Sequence, residues 1–453
     1  DVDVLVIGGG PAGIGAAVAS ARNGASTILV ERYGFLGGNA TAALVMPFMS
    51  FHTQQPQAEG QGAASLLPTD HGDGRPVIGG VVEQLVERLV AAGGALRASR
   101  ATGYTVPFDP ETLKLVALDL LDDAGVSFLF HALASDVLVE RQVVHGVVFE
   151  TKSGPLVIRA RVVVDCTGDG DVAARAGAPF DLGREDDGLV QPMTLMFRMT
   201  EFERSAFEGY VREHPDQWRG VHGLWDLVRQ ATAAGELELP REDVLLFATP
   251  HEREVSVNST RVTHVLGTDA WDLSAAEWQS RQQMRQLVAF LRRYVPGFAR
   301  SYLVQSGATV GVRETRRIRG DYQLTAADVL AARKFPDAIA SSAYPIDIHN
   351  PDGSGTLLRR LPPGESYDVP LRCLVPRQVE WLLVAGRCIS GTHEAHSSYR
   401  VMPVAIALGQ AAGACAALAV REGSPPRQVT AARVQAALIS QGALIHGVME
   451  GSR

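Results

Sequence analysis

The apolar and polar positions of the chain follow two alternating patterns that begin at the N-terminus. Residues 2–7 are mostly apolar, which predicts a buried strand. Residues 14–23 have the spacing of a helix that stops before Gly24, and the β-branched residues of 26–30 predict a second strand. Strand, helix and strand in this order predict an α/β fold with a parallel sheet.

The same patterns continue along the chain. Helices are predicted at 81–92, 113–123 and 274–294, and strands at 126–130, 135–140, 143–150, 156–164, 194–199, 255–257, 303–312 and 381–385. The three strands within 135–164 predict a meander. Residues 53–76, rich in Gln, Gly, Pro and Ala, predict a long irregular loop of the kind that forms active-site lids or mobile segments.

The pattern changes at Pro179 and returns to a buried strand near residue 381. We therefore predict a discontinuous first domain at 1–178 and 368–453, with the parallel sheet and the meander. Residues 179–367 are predicted to form an inserted α+β substrate or cap domain, because helices and strands alternate there without the same regular order.

Residues 401–420 carry no charge and are long enough to span a bilayer. The segment is rich in Ala and Gly, which add little to insertion, and it contains Pro403 and Gln410. We expect a buried helix that packs closely on the sheet and no membrane contact.

Composition and charge fit an ordinary enzyme. The 453 residues are 46% hydrophobic and 20% charged, with a net charge of -8, and no basic stripe indicates nucleic acid. Four scattered cysteines without a CxxC pair argue against a disulfide framework. No charged segment precedes the first strand, so we expect no signal peptide and a cytoplasmic protein.

A glycine-rich turn joins the first strand to the first helix. In the run Gly8-Gly9-Gly10-Pro11-Ala12-Gly13, the first glycine allows a tight turn, the third lets the backbone approach a pyrophosphate, and the last lets the helix pack on the strand. Glu31 ends the second strand, where a carboxylate can accept the ribose hydroxyls of a dinucleotide. The whole unit predicts dinucleotide binding.

Four further motifs complete a family resemblance: Gly37-Gly38, Asp165-Cys166-Thr167-Gly168-Asp169, Leu383-Val384-Ala385-Gly386-Arg387 and the helix start Arg400-Val401-Met402-Pro403. Together with the glycine turn and Glu31, they resemble the FAD-dependent oxidoreductases of the glutathione-reductase-like superfamily. The runs at 311–318, 320–325 and 344–349 are similar to the middle domain of the group named only FAD-dependent oxidoreductase.

The resemblance implies a Rossmann-type FAD-binding domain, with FAD as the cofactor. The residues it places against FAD are Gly8, Gly10, Pro11, Ala12, Gly13, Glu31, Arg32, Gly37, Gly38, Asn39, Thr41, Ala134, Thr167, Gly168, Asp169, Gly386, Arg387, Arg400, Val401 and Met402. Many relatives have Gly-Asp where this chain has Gly386-Arg387, so the usual contact of that aspartate with the ribityl chain is replaced here. An arginine can reach a phosphate oxygen instead.

Proton transfer beside a flavin needs an acid or base, and histidine suits neutral pH. His393 and His396 lie between two flavin-contacting motifs and are the leading candidates, with His349 third. Arg313 is a candidate clamp for a substrate carboxylate or phosphate, although a partly solvated strand whose charges pair with Glu314 and Asp321 is the favoured interpretation. No metal site is expected, because the two leading histidines lack a third ligand. Cys388 is expected to be a small buried residue, not a flavin attachment point.

These observations predict hydride transfer between a small organic substrate and N5 of FAD. No second glycine fingerprint follows Gly170, so a separate NAD(P)H domain is not predicted. Two alternatives remain open: an NAD(P)H-assisted flavin monooxygenase, and a flavoprotein subunit whose FAD is structural. A homo-oligomer is possible.

Overall fold

The computed structural model describes residues 1–54, 66–68, 74–353 and 355–445. Most of the loop predicted at 53–76 lies outside the described residues. The described strands are β1 (Val2–Ile7), β2 (Thr27–Val30), β3 (Ser127–Leu129), β4 (Leu133–Glu140), β5 (Val143–Thr151), β6 (Gly154–Asp165), β7 (Phe180–Leu182), β8 (Phe197–Thr200), β9 (Trp218–Arg219), β10 (His222–Gly223), β11 (Val244–Ala248), β12 (Glu254–Val257), β13 (Tyr302–Ser306), β14 (Arg316–Ile318), β15 (Ala338–Ser342), β16 (Ile346–His349), β17 (Thr356–Arg359), β18 (Tyr367–Pro370) and β19 (Leu382–Val384).

The described helices connect these strands. They are α1 (Pro11–Arg22), α2 (Val81–Ala91), α3 (Pro110–Asp123), α4 (Asp171–Arg175), α5 (Arg204–Glu213), α6 (Trp225–Ala233), α7 (Ala270–Tyr294), α8 (Ala326–Leu330), α9 (His393–Tyr399), α10 (Met402–Glu422) and α11 (Ala431–Ser440). Helices α5, α6 and α7 contribute to the apolar cluster of a second sheet, and α1 and α10 pack in the core of the main sheet.

The main sheet has the strand order β3-β2-β1-β6-β5-β4, and β19 also pairs with β6. Strands β1, β2, β3, β19 and the C-terminal half of β6 run parallel to one another. The N-terminal half of β6 instead pairs antiparallel with β5, and β5 pairs antiparallel with β4. The predicted α/β class with a parallel sheet is confirmed.

Helices α1 and α10 pack against each other with their backbones in direct contact. A Cβ at Gly409 would lie 1.9 Å from the carbonyl oxygen of Ala12, and one at Gly413 would lie 2.0 Å from that of Ala16. A Cβ at Gly15 would in turn meet the carbonyl oxygen of Ile406 at 2.2 Å. Although α10 is long and apolar enough to cross a membrane, 94% of its most apolar window is buried inside the protein. It is a core helix, and its small residues are required by the contact with α1.

A second sheet lies in the middle of the sequence. Its six strands are all antiparallel, in the order β13-β8-β12-β11-β10-β9. Phe197, Phe207 and Phe290 belong to a separate apolar cluster beneath this sheet and α7. By contrast, Ile318 and Tyr344 pack in the same apolar core as the main sheet. The boundaries 1–178, 179–367 and 368–453 stay a prediction.

Several helices begin earlier than their apolar spacing predicts, because capping residues add a polar first turn. Asp109 accepts the N–H of Thr112 at 2.8 Å, so α3 begins at Pro110 and not at 113. Asp269 likewise caps α7, which begins at Ala270. The strand predicted at 303–312 ends at Ser306, beyond which the chain is irregular.

Candidate active site

The glycine turn after β1 has the geometry of a pyrophosphate cradle. Gly8 has φ +97°, and a Cβ there would lie 2.5 Å from the carbonyl oxygen of Cys166; a Cβ at Gly13 would lie 1.7 Å from that of Gly8. At Gly10, in contrast, the nearest heavy atom to an added Cβ is Cα of Gly38 at 3.7 Å. Gly10 is also the N-cap of α1, with no side-chain hydrogen bond to the helix start. The backbone N–H groups of that start are therefore available to an anion.

Glu31 stands at the end of β2, almost fully buried. Its Oε2 accepts the N–H of Gly9 at 2.6 Å, and its Oε1 accepts that of Tyr33 at 2.9 Å. Burial raises the pKa of Glu31, although these hydrogen bonds oppose the rise. Each carboxylate oxygen keeps a second lone pair, so the group can still accept ribose hydroxyls.

The start of β4 runs beside Glu31. Ala132 donates its N–H to the carbonyl oxygen of Glu31 at 3.2 Å, so Ala134 lies two residues further along this edge strand. Arg32 is exposed, with its guanidinium carbon 4.8 Å from the ring centroid of Tyr33. These positions are compatible with the adenosine end of FAD.

Residues after β2 close over the glycine turn. A Cβ at Gly38 would lie 2.9 Å from Cα of Gly10, so these two backbones touch. Thr41 donates its hydroxyl to the carbonyl oxygen of Leu36 at 2.6 Å. Asn39 donates its amide to the carbonyl oxygen of Val312 at 3.1 Å, which ties this loop to the middle of the chain.

The turn after β6 holds Arg387 through Asp169. Buried Asp165 accepts hydrogen bonds from the N–H and the hydroxyl of Thr167, which shapes the turn. Asp169 Oδ1 then lies 2.7 Å from Arg387 Nη2 and accepts the hydroxyl of Thr315 at 2.7 Å. The arginine that stands at the Gly-Asp position of many relatives is thus neutralised by an aspartate from another turn. Gly168 (φ +81°) lies against it, since a Cβ there would be 2.9 Å from Arg387 Nη2.

The start of α10 forms a second uncapped helix end. Val401 is its N-cap and makes no side-chain hydrogen bond to the helix start, while Met402 begins the helix. Gly386 (φ +87°) approaches α1, because a Cβ there would lie 2.9 Å from Cβ of Ala12. Segments from both ends of the sequence therefore meet at the glycine turn, as an extended FAD requires.

A cavity of about 600 Å³ opens from this meeting point. One part of its wall comprises five of the residues predicted to contact FAD: Asn39, Arg387, Arg400, Val401 and Met402. The wall continues through Arg313 and His349 and includes further charged or titratable residues: His222, Arg241, Glu242, Asp243, Arg261, Asp347 and Arg400. Its size suits a small organic molecule.

The family model described as FAD dependent oxidoreductase matches residues 3–438. The chain belongs to this family. It is therefore an oxidoreductase with FAD as its cofactor, and the glycine turn, the two uncapped helix ends and the buried Glu31 fit that cofactor.

Individual relatives are distant. The chain is 28% identical over 200 residues to a thiamine thiazole synthase from Methanococcus maripaludis (strain C7), a match that covers 42% of this chain and 64% of that protein. The corresponding protein from Methanococcus vannielii is 27% identical over 198 residues, covering 42% and 65%. The chain thus matches less than two thirds of the length of these relatives.

Two solved structures cover nearly the whole chain. A geranylgeranyl bacteriochlorophyll reductase-like protein from Thermoplasma acidophilum has 13% identity and a TM-score of 0.46, covering 98% of this chain and 84% of that one. The p-nitrophenol 4-monooxygenase from Pseudomonas putida DLL-E4 has 11% identity and a TM-score of 0.46, covering 99% and 91%.

Two of the four predicted catalytic residues, His349 and Arg313, lie on the cavity wall. Nδ1 of His349 is 3.3 Å from Nη2 of Arg261, and its Nε2 is 3.8 Å from Oδ2 of Asp347. Burial, followed by the charges of Arg313 and other cavity arginines, holds the pKa of His349 well below its usual value. The imidazole is therefore neutral at pH 7.

His393 lies apart from the described cavity wall. Its Nδ1 is 2.9 Å from Oε1 of buried Glu314, which also pairs with Arg317. Oε2 of Glu314 accepts the N–H of Gln191 at 3.0 Å, and Gln191 accepts the N–H of His349 at 3.2 Å. This buried chain of hydrogen bonds connects His393 to the backbone of His349 on the cavity wall.

His396 is fully buried and also absent from the described cavity wall. Its ring packs edge-on against Tyr399, and neither ring nitrogen has a hydrogen-bond partner among the described residues. Burial lowers its pKa well below the usual value. The proton-transfer roles of His393 and His396 stay predictions.

Cys388 is buried beside the Gly386 turn and is a free thiol. Its Sγ lies 3.7 Å from the carbonyl oxygen of Ala385. Burial raises its pKa well above the usual value. The thiolate needed for a covalent bond is therefore disfavoured.

Sequence reasoning missed most of the charged cavity wall. Arg241, Asp243 and Arg261 carry no local motif, and they reach the site only because the second sheet folds over it. Asp347 had a usable signal, because it lies in the same motif as His349.

Proposed function

We propose that the enzyme transfers hydride between a small organic substrate held in this cavity and N5 of FAD. The proposal rests on one cavity whose wall combines two sets of residues. Asn39, Val401 and Met402 are placed against FAD by the resemblance. His349 and Arg313 are candidates for catalysis and substrate binding. We further propose that 1–178 and 368–453 hold FAD, while 179–367 supply the substrate side. A cytoplasmic location fits the four free cysteines.

His349 is the residue that we propose for proton transfer. Oxidation of an alcohol or amine removes a hydride from carbon and a proton from oxygen or nitrogen, so a neutral base must take the proton. His349 is held neutral in the cavity wall, with Asp347 3.8 Å from its Nε2. Its Nδ1 faces a donor of Arg261 at 3.3 Å and therefore bears the lone pair, so we propose that Nδ1 takes the proton when bound substrate draws Arg261 away. For the reverse reaction the protonated ring returns the proton.

The start of α10 has a complementary role. Its uncapped N–H groups and the positive end of the helix dipole face the part of the wall formed by Val401 and Met402. Such donors stabilise negative charge that develops during a reaction. Asn39 is fixed there by its bond to Val312, which closes this wall.

Anaerobic mixing of the FAD-loaded enzyme with a panel of alcohols, amines and organic acids tests the proposal. We expect one class to bleach the visible absorbance of the flavin. The His349→Gln variant should react about a hundredfold more slowly, whereas His145→Gln, at an exposed position of β5, should react normally.

Three outcomes would contradict the proposal or its proton-transfer residue. If only NADPH bleaches the flavin, and oxygen uptake then yields a hydroxylated product, the enzyme is a monooxygenase. If dithionite cannot reduce the flavin reversibly, the cofactor is structural. If His393→Gln loses the rate while His349→Gln keeps it, proton transfer belongs to the buried histidine.

A further inference from the structure

Positive charge is concentrated on the cavity wall around His349. Arg241, Arg261, Arg313 and Arg400 all line the cavity. Two of them have carboxylate partners: Arg241 lies 3.1 Å from Asp243, and Arg400 lies 3.6 Å from Asp347. Arg261 and Arg313 have no carboxylate partner among the described residues.

Arg313 and Arg261 bind only neutral groups. Nη1 of Arg313 donates to the carbonyl oxygen of Pro192 at 2.8 Å and to the hydroxyl of Thr194. Nη1 of Arg261 donates to the carbonyl oxygen of Gly353 at 2.6 Å, and its Nη2 faces His349. No carboxylate of the described residues lies within ion-pair distance of either guanidinium.

Arg400 adds an unused donor to the same wall. Its Nε is buried and has no hydrogen-bond partner among the described residues. Its Nη2 is already engaged, donating to the carbonyl oxygen of Asp347 at 3.3 Å. A buried N–H without a partner is unfavourable, so this group is available to an acceptor on a bound molecule.

We propose that the cavity binds a small organic dianion through Arg261 and Arg313, assisted by Nε of Arg400. The inference rests on the proposed function, because this dianion would be the substrate of hydride transfer. Two unpaired guanidiniums match two negative charges, which a dicarboxylate or a phosphate monoester carries. A planar guanidinium binds either group through two parallel hydrogen bonds.

The electrostatics of the wall support this assignment. Burial lowers the pKa of Arg313 to about 9 and that of Arg261 to about 10, with neighbouring arginines adding to both shifts. Two cations held out of water in one cavity wall are unfavourable without a counter-charge. Asp243 and Asp347 offset part of this charge, but their ion pairs are with Arg241 and Arg400. A bound dianion would supply the direct counter-charge that Arg261 and Arg313 do not have among the described residues.

The position of the cluster favours a substrate over a structural anion. Arg400 directly precedes Val401 and Met402, which line the same cavity at the predicted flavin end. An anion held between Arg261 and Arg313 would keep the rest of a small molecule within this one space of about 600 Å³.

Calorimetric titration of the FAD-loaded enzyme tests the inference, because bound FAD keeps phosphate out of the glycine turn. The probes are succinate, inorganic phosphate, acetate and neutral succinamide. We expect succinate or phosphate to bind at least about tenfold more tightly than acetate, and succinamide not to bind. Tight succinate binding identifies a dicarboxylate site, and tight phosphate binding identifies a phosphate-ester site.

Arg313→Gln and Arg261→Gln should each weaken binding of the preferred dianion at least about tenfold. Arg159→Gln, at an exposed position of β6, is the matched control and should leave binding unchanged. Arg313→Lys keeps the charge but loses the two-pronged geometry, and should bind at an intermediate level. If the glutamine variants do not fold, dianion binding by the unmodified enzyme is measured at low ionic strength, where tighter binding supports an anion site of positive charge.

Equal binding of all probes, binding that ignores ionic strength, or full binding by both folded glutamine variants would overturn the inference. Its failure can be told apart from failure of hydride transfer. Dianion binding without flavin bleaching by any organic acid supports the anion site but not the hydride proposal. Bleaching by neutral alcohols without dianion binding supports hydride transfer but not the anion site.

Discussion

Replacement of Gly10 by alanine separates cofactor binding from folding more sharply than any other change at the glycine turn. Gly10 has φ -73° and ψ -174°, an extended conformation open to any residue, and an added Cβ would have no heavy atom closer than 3.7 Å. The unliganded protein should therefore accept the methyl group. It should even gain about 0.4 to 1 kcal/mol, because alanine reduces the conformational freedom of the unfolded chain.

FAD binding should suffer, because the methyl group points into the space beside Gly38 and the uncapped start of α1. If it pushes the pyrophosphate away from one backbone N–H, a hydrogen bond to a charged group is lost, worth about 1.5 to 3 kcal/mol. The dissociation constant for FAD should then rise about 10- to 150-fold. Fluorescence titration of the deflavinated protein with FAD measures this change, and thermal unfolding of the same sample measures stability.

The matched control is Gly209→Ala. Gly209 lies within α5, where an added Cβ would meet only the Arg212 side chain at 3.9 Å. This variant should gain about 1 kcal/mol of stability and bind FAD normally. Wild-type FAD affinity in Gly10→Ala would refute the placement of the pyrophosphate, and so would loss of FAD that merely follows unfolding.

Two further predictions concern buried titratable groups. Glu31→Gln should weaken FAD binding about tenfold or more, since an amide has one acceptor where the carboxylate has two; unchanged FAD affinity would exclude the ribose contact. His349 and His396 have pKa values well below the unfolded value of about 6.5, so the unfolded chain binds more protons below that pH. Stability should be full above about pH 6.5 and decline as the pH falls, by up to about 1.4 kcal/mol per unit for each histidine. Urea unfolding between pH 7 and pH 5 measures this slope, which should be smaller in His396→Gln; an equal slope would contradict the assignment.

The elements that the sequence predicts well are those fixed by local contacts. Residues from β1 to β2 form a strand, a helix and a strand because each apolar run is short and bounded by glycine. Gly8 and Gly13 leave no room for a side chain, so glycine at these two positions indicates close backbone contact. The small residues of α10 are also visible in the sequence, although the contact with α1 that requires them joins distant parts of the chain.

The chemistry of the cavity depends on contacts between distant residues, and the sequence gives few signs of it. His393 and His396 stand next to flavin motifs in the sequence, yet His393 contacts a buried carboxylate and the His396 ring is fully buried against Tyr399. Arg261 comes from the middle of the chain but meets His349 at 3.3 Å. Such a pairing, across 88 positions, follows from how the second sheet packs and not from any local pattern.

The central claim is that FAD is held by both ends of the chain and that its reactive end faces the arginine-lined cavity. A crystal structure of the FAD-bound protein tests it most directly. The account predicts electron density for the pyrophosphate at the uncapped start of α1 next to Gly10, for the ribose at Glu31, and for the isoalloxazine ring beside Val401 and Met402, with one face open to His349 and Arg313. A ring bound elsewhere, or sealed from this cavity by protein, would contradict it.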